Sequence, residues 1–230
     1  RITNQGDSLA KMTVLYQGTG INFVNVYDTF FAHRSEYLYL KTDHHWNGRG
    51  AYYAYTVFAK SLGLSPASLD SLSYTVLNSK YHGSLYSFTQ DPRVLQFSDV
   101  LEAFDPGVPC TMTITRTGGS TETYKSSIIT AYGNYLAYIG GDNPYTIINV
   151  PSNPQDKSIL VLKDSYGNAI IPYLTLHYGN IIIIDPRYCG FNIYQQFKDY
   201  GLDDILFLNN MQCVNTSTWI RLYLALVGVS

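Results

Sequence analysis

Ser158-Ile159-Leu160-Val161-Leu162-Lys163, followed at once by Asp164-Ser165-Tyr166-Gly167-Asn168, is an apolar run of strand length that ends in a polar turn. A helix-like segment continues from the turn to about residue 178. Asn180-Ile181-Ile182-Ile183-Ile184-Asp185 is a second run, β-branched throughout, and a helical stretch over residues 192–200 comes next. A third run, Asp204-Ile205-Leu206-Phe207-Leu208-Asn209, leads into a last helix over residues 217–227. Apolar runs without alternation belong to strands covered on both faces. Repetition of strand and helix predicts parallel strands joined by right-handed crossovers, with helices on both sides.

Working outward, the sequence predicts one more sheet strand at residues 22–27, then the loop Lys41-Thr42-Asp43-His44-His45-Trp46, then a helix over residues 47–62 stopped by Gly63. Between about residues 74 and 150 the pattern changes to short alternating stretches. Thr111-Met112-Thr113-Ile114-Thr115-Arg116, a Gly118-Gly119 turn and residues 121–124 read as a β-hairpin. The expected fold class is α/β: a three-layer sandwich with a mainly parallel sheet, a β-rich insertion at about 74–150, and a single domain over residues 1–230.

Charge narrows the function. Fifteen basic and 17 acidic residues are scattered along the chain and leave a net charge of -2, with no basic block suited to phosphate backbones or anionic lipid. Nucleic acid is therefore excluded as a first partner. No apolar stretch reaches the roughly 18 residues that cross a bilayer. The sequence begins at Arg1 without an initiator Met, which suits a piece of a longer, exported protein. A weakly charged, Tyr-rich composition also suits an exported protein that meets sugars. Cys110, Cys189 and Cys213 lack CxxC spacing and read as buried or free thiols, with one disulfide left open.

The turn after the first run lies where open parallel sheets place their ligands, at the carboxyl ends of the strands. Ser165 would project from it, and amides at the start of the following helix would face a developing oxyanion. Alone, Ser165 reads first as a helix cap. The second polar cluster alters that balance: in an extended Asp43-His44-His45, residues two apart share a side, so the Asp43 carboxylate can hold the His45 imidazole. The other ring nitrogen is then free to take a proton from a serine hydroxyl. The same histidines offer a zinc alternative completed by His82 or His177, although no metal-binding spacing appears.

These motifs, namely Thr42-Asp43-His44-His45-Trp46 with Gly50-Ala51-Tyr52-Tyr53-Ala54-Tyr55, Lys163-Asp164-Ser165-Tyr166-Gly167-Asn168 and Ile184-Asp185-Pro186-Arg187-Tyr188, resemble the bacterial DHHW protein family. That family is similar to the alginate O-acetylation proteins of the SGNH hydrolase superfamily. The resemblance covers most of the chain and is weakest between residues 86 and 132. It implies an SGNH-hydrolase-like fold, export from the cytoplasm to the cell surface or beyond, and a catalytic triad of Ser165, His45 and Asp43 used on O-acetyl esters of polysaccharides. Asp and His precede Ser here, as in the alginate branch and unlike ordinary SGNH hydrolases. The Gly-x-Asn-Asp oxyanion element of those hydrolases is missing, and nothing resembling a carbohydrate-binding module follows Ser230.

Arg187, Tyr166, Asn168 and Asn209 lie near strand ends on the same edge and are candidate substrate or oxyanion contacts. Arg187 reads equally as an ion-pair partner of Asp185 or Asp164. His82, in a segment resembling the family, is a candidate cleft residue. The leading expectation is a serine-dependent O-acyl esterase or acetyltransferase that needs no metal or organic cofactor. Its partners would be an acetylated polysaccharide or an acyl donor, and membrane-anchored export machinery. The competing expectation is a non-catalytic carbohydrate-binding or assembly component of the same kind of system.

Overall fold

The computed structural model describes residues 5–211, 213 and 216–228. Its helices are α1 (Gln5–Tyr16), α2 (Tyr27–Ala32), α3 (Gly48–Ser61), α4 (Ser84–Thr89), α5 (Ile171–Leu174), α6 (Ile193–Phe197) and α7 (Ser217–Val227). Its strands are β1 (Ser73–Tyr81), β2 (Asp99–Asp105), β3 (Thr111–Thr115), β4 (Thr121–Tyr124), β5 (Tyr145–Asn149), β6 (Ser158–Lys163), β7 (Asn180–Ile184) and β8 (Asp204–Leu208). Strands β1 and β2 form an antiparallel pair of their own. The other six make one sheet in the order β4-β3-β5-β7-β6-β8.

Every residue of β6 is buried, as its unbroken apolar pattern requires. Alternate side chains of the sheet enter two cores. Ile159, Val161, Ile181 and Ile183 meet Phe58 of α3 with Ile171 and Leu174 of α5, while Leu160, Leu162, Ile182 and Ile184 meet Ile193, Phe197 and Leu226 of α6 and α7. Helices thus cover both faces of the sheet.

The expectation of a mainly parallel sheet is corrected. Only β6 with β7 and β6 with β8 run parallel, whereas β3 with β4, β3 with β5 and β5 with β7 are antiparallel. The hairpin of β3 and β4 extends the main sheet through β5. A two-residue-period pattern fixes which face a strand buries but not which strand it pairs with, or in what sense.

Two local expectations also change. Residues 22–27 form no strand; Val24 and Val26 pack against the cores from irregular chain, and α2 begins at Tyr27. The turn over residues 164–168 is a 3-10 turn (Ser165–Ala169), and the helix-like segment expected after it to about residue 178 is only the four-residue α5. Pro172 lacks an amide hydrogen and cannot continue a helical hydrogen-bond ladder from the preceding turn. By contrast α3 ends where expected: Asn47 caps its start by accepting from the Gly48 amide, and Gly63 follows at φ +71°.

Candidate active site

Tyr39 and Trp46 pair in an antiparallel bridge, so residues 40–45 form a tight loop just ahead of α3. Within the loop, Asp43 Oδ1 accepts from the His45 amide at 3.2 Å and from His45 Nδ1 at 2.7 Å. This is an Asx-type turn, not the extended segment expected, and it brings carboxylate and imidazole together just as well. Across the chain, His45 Nε2 lies 2.7 Å from Ser165 Oγ, the first residue of the turn after β6. Asp43 and His45 are both buried.

The buried carboxylate is well supplied with donors. Tyr81 OH at 2.7 Å and the Ser84 amide at 3.0 Å donate to Asp43 Oδ2, and Ser84 Oγ at 2.9 Å donates to Oδ1. Burial alone would raise the Asp43 pKa; the hydrogen bonds from His45 and Tyr81 and the charge of His45 outweigh it and hold the carboxyl far below its ordinary value. Gly83 permits this approach, because a Cβ there would fall 2.2 Å from Asp43 Oδ2.

A second buried carboxylate fixes the loop itself. Asp99 accepts from the Lys41 amide at 2.7 Å and from the Thr42 amide at 2.8 Å, and Thr42 Oγ1 lies 2.5 Å from it. Tyr135 completes the support by stacking on the His45 ring at 4.1 Å and 15° between planes. Sequence reasoning singled out none of Asp99, Tyr81, Ser84 or Tyr135. The only signal was the segment around His82, of which Gly83 and Ser84 meet Asp43 while His82 itself is exposed.

The Tyr135 hydroxyl is buried without a hydrogen-bond partner among the described residues. An unsatisfied buried hydroxyl is costly, so Tyr135→Phe should hold or raise thermal stability, by about 1 kcal/mol, while keeping the ring stack. A chemical-denaturation midpoint lower than that of the parent would contradict this.

On the strand side, Asp164 caps the turn: its carboxylate accepts from the Tyr166 amide at 2.9 Å, the Asn210 amide at 2.7 Å and Cys213 Sγ at 3.3 Å. The Tyr166 amide is therefore committed to the cap. The Tyr166 side chain closes the loop side by donating its hydroxyl to the His44 carbonyl, while Trp46 Nε1 donates to the Tyr166 carbonyl at 3.1 Å.

Arg187, expected to reach substrate, lies instead in an ion network, as its alternative reading had it. It donates to Asp185 and, through Nη2 at 2.7 Å, to Asp142. Lys163, 1% exposed, donates to Asp142 at 2.8 Å and Asp185 at 3.3 Å. Asn168 Nδ2 also binds Asp142, at 2.9 Å. Asn209 accepts from Tyr223 on α7. Arg187 is thus committed to neighbouring carboxylates and the network braces the turn beneath Ser165, whereas Asn168 and Asn209 each bond a neighbour through one amide atom only and keep the other, Asn168 Oδ1 and Asn209 Nδ2, buried without a hydrogen-bond partner among the described residues.

Burial would raise the Asp142 pKa, but the charges of Lys163 and Arg187 lower it to about 2. A depressed folded-state pKa stabilises above the unfolded value and is lost as pH falls through the folded one. The network should therefore stabilise the fold fully above about pH 4 and lose that contribution between about pH 4 and 2. Thermal midpoints of the parent should fall across that window more steeply than those of Asp142→Asn.

Three ligand atoms, from Asp43, His44 and His45, lie within 4.8 Å of one another, a grouping able to hold a metal ion. His177, one of the two residues suggested to complete a zinc site, bonds the Tyr55 hydroxyl at 2.8 Å instead. His82 makes no hydrogen bond or ion pair with the cluster among the described residues.

A family model described as DHHW protein matches residues 3–184. The crystal structure of a DHHW family protein from Eubacterium siraeum DSM 15702 is similar over 90% of this chain and 69% of its own, at 26% identity and TM-score 0.79. Bacillus cereus PatB1 is similar over 84% of this chain and 70% of its own, at 22% identity and TM-score 0.69. A second PatB1 structure, with a sulfonyl adduct, is similar over 81% and 67%, at 22% identity and TM-score 0.66. The O-acetyltransferase domain of Pseudomonas putida AlgJ is similar over 96% of this chain and 73% of its own, at 13% identity and TM-score 0.45. A search of curated proteins returns no match.

Proposed function

The chain belongs to the DHHW protein family, and on that premise we propose that it is a serine-dependent O-acyl esterase or acetyltransferase acting on an extracellular or cell-envelope polysaccharide. The observation that carries this reading is the continuous hydrogen-bonded line from Asp43 through His45 to Ser165. Ser165 Oγ attacks the acyl carbon as His45 Nε2 takes its proton. The ionised Asp43 holds Nδ1–H, fixing the tautomer and stabilising the imidazolium that forms. The proton passes to the departing alkoxide, leaving an acyl-serine. Water or a sugar hydroxyl then resolves the ester by the reverse sequence through the same imidazole.

The Ser165 amide, first in the 3-10 turn, has no preceding carbonyl within the turn and is the candidate oxyanion donor. These steps need no metal or organic cofactor. Acetyl as the acyl group and polysaccharide as the acceptor rest on the family motifs. So does a location at the cell surface or outside the cell. No helix among the described residues is long and apolar enough to cross a membrane.

A sulfonyl fluoride captures an activated serine hydroxyl. The test is therefore to treat the protein with phenylmethylsulfonyl fluoride and a chromogenic acetyl ester and to map adducts by peptide mass spectrometry. Modification of Ser165, with ester turnover lost in parallel, is the expected result. Neither adduct nor turnover would sink the enzyme reading in favour of a carbohydrate-binding role.

A further inference from the structure

His44 repeats the arrangement of His45 one residue earlier, at the mouth of the site. Its side chain is 41% exposed where that of His45 is 8% exposed, and the two ring centroids are 3.9 Å apart. Its Nδ1 lies 2.5 Å from Ser84 Oγ and 3.3 Å from Asp43 Oδ1. The phenol of Tyr166 grips its backbone carbonyl, and the rings of Tyr166 and the exposed Phe88 lie 6.1 and 6.3 Å away.

The hydrogen bonds fix the tautomer of His44. An ionised Asp43 carboxylate can only accept, so the single hydroxyl proton of Ser84 goes to Oδ1. Ser84 Oγ must then accept from His44, which places the proton on Nδ1 and leaves Nε2 with a lone pair. Nε2 has no hydrogen-bond partner among the described residues. Burial disfavours protonation of His44, which keeps that lone pair available. The mouth therefore presents two adjacent imidazoles, each with Nδ1–H turned to the Asp43 and Ser84 anchor and each with Nε2 turned away from it. Ser165 engages one of them, and the other is free.

We infer that His44 is an acceptor-binding residue whose Nε2 takes a hydrogen bond from one hydroxyl of a vicinal diol while the neighbouring hydroxyl attacks the acyl-Ser165 ester. This rests on the acyl-serine reading above. In the step, the attacking hydroxyl oxygen bonds the acyl carbon and its proton passes to His45 Nε2. The bond from the acyl carbon to Ser165 Oγ then breaks and Oγ recovers that proton. His44 stays neutral and exchanges no proton. A vicinal diol gives each imidazole a hydroxyl oxygen of its own within one bound molecule, whereas a water molecule must serve both from a single oxygen, so the pair biases resolution toward transfer onto a polyol such as a sugar.

The test uses p-nitrophenyl acetate as donor and glycerol as acceptor, with acetylglycerol and acetate quantified by mass spectrometry. His44→Phe keeps a ring and removes the lone pair. Its ratio of acetylglycerol to acetate at subsaturating glycerol should fall about tenfold, the scale of one hydrogen bond, and His44→Gln should recover part of it through its amide oxygen. An unchanged ratio in His44→Phe overturns the inference, including the case where both products fall in proportion because His44 merely supports Asp43. Absence of any Ser165 acyl adduct in the wild type overturns the acyl-serine reading and this inference together. An adduct with an unchanged ratio overturns the inference alone.

Discussion

Ser165→Ala should reduce turnover of a chromogenic acetyl ester by about 10⁴- to 10⁶-fold in kcat, with little change in thermal midpoint. The size follows from what is removed. Without Oγ no acyl-enzyme forms, and His45 is left 2.7 Å from the position of a missing partner. Because nucleophile and base act as one unit, His45→Ala should cost nearly as much, and the double variant little more than either single one. Additive losses would mean that Ser165 and His45 act separately. Stability should barely respond in Ser165→Ala, since the cap of the turn belongs to Asp164 and its bonds to the Tyr166 and Asn210 amides are untouched.

The largest effect on stability is expected at Lys163. Its ammonium is buried between Asp142 and the fully buried Asp185, and Arg187 supplies the second positive charge to the same two carboxylates. Lys163→Met conserves much of the side-chain volume but leaves two carboxylates against one guanidinium. Breaking a buried pair from one side costs about 3–5 kcal/mol, because the remaining charge is left uncompensated. For a chain of 230 residues that corresponds to a fall in thermal midpoint of about 10 °C. Removing the orphaned charge as well, in Lys163→Met with Asp185→Asn, should restore much of the loss. A single variant as stable as the parent would show that the Lys163 contacts contribute no net stability. Activity should fall along with stability, because Gly167 of the Ser165 turn rests directly on the Lys163 side chain, where a Cβ would meet it at 2.6 Å.

Taken by itself, the sequence determined what short-range patterns can encode. The unbroken apolar runs of β6, β7 and β8 specified three strands joined by crossovers, and these do run parallel; β6 and β7 are buried on both faces as expected, whereas β8, at the sheet edge, leaves Ile205 and Phe207 exposed. The pairing of Asp43 with His45 was legible from their spacing, although an Asx-type turn and its own hydrogen bonds hold them together in place of the extended segment expected. The boundaries of α3 followed from Asn47 as cap and Gly63 as stop.

Tertiary structure decided the rest, where the choice depends on partners distant in sequence. It joined β5 antiparallel to β7 and made the sheet mixed, because a strand's alternation names its buried face and not its neighbour. It brought His45 to Ser165 across 120 positions and recruited Asp99, Tyr81, Ser84 and Tyr135 to hold the loop. It also turned Arg187 into a partner of Asp142 and Asp185, since a charge at a strand end goes to whichever opposite charge the packed sheet sets beside it.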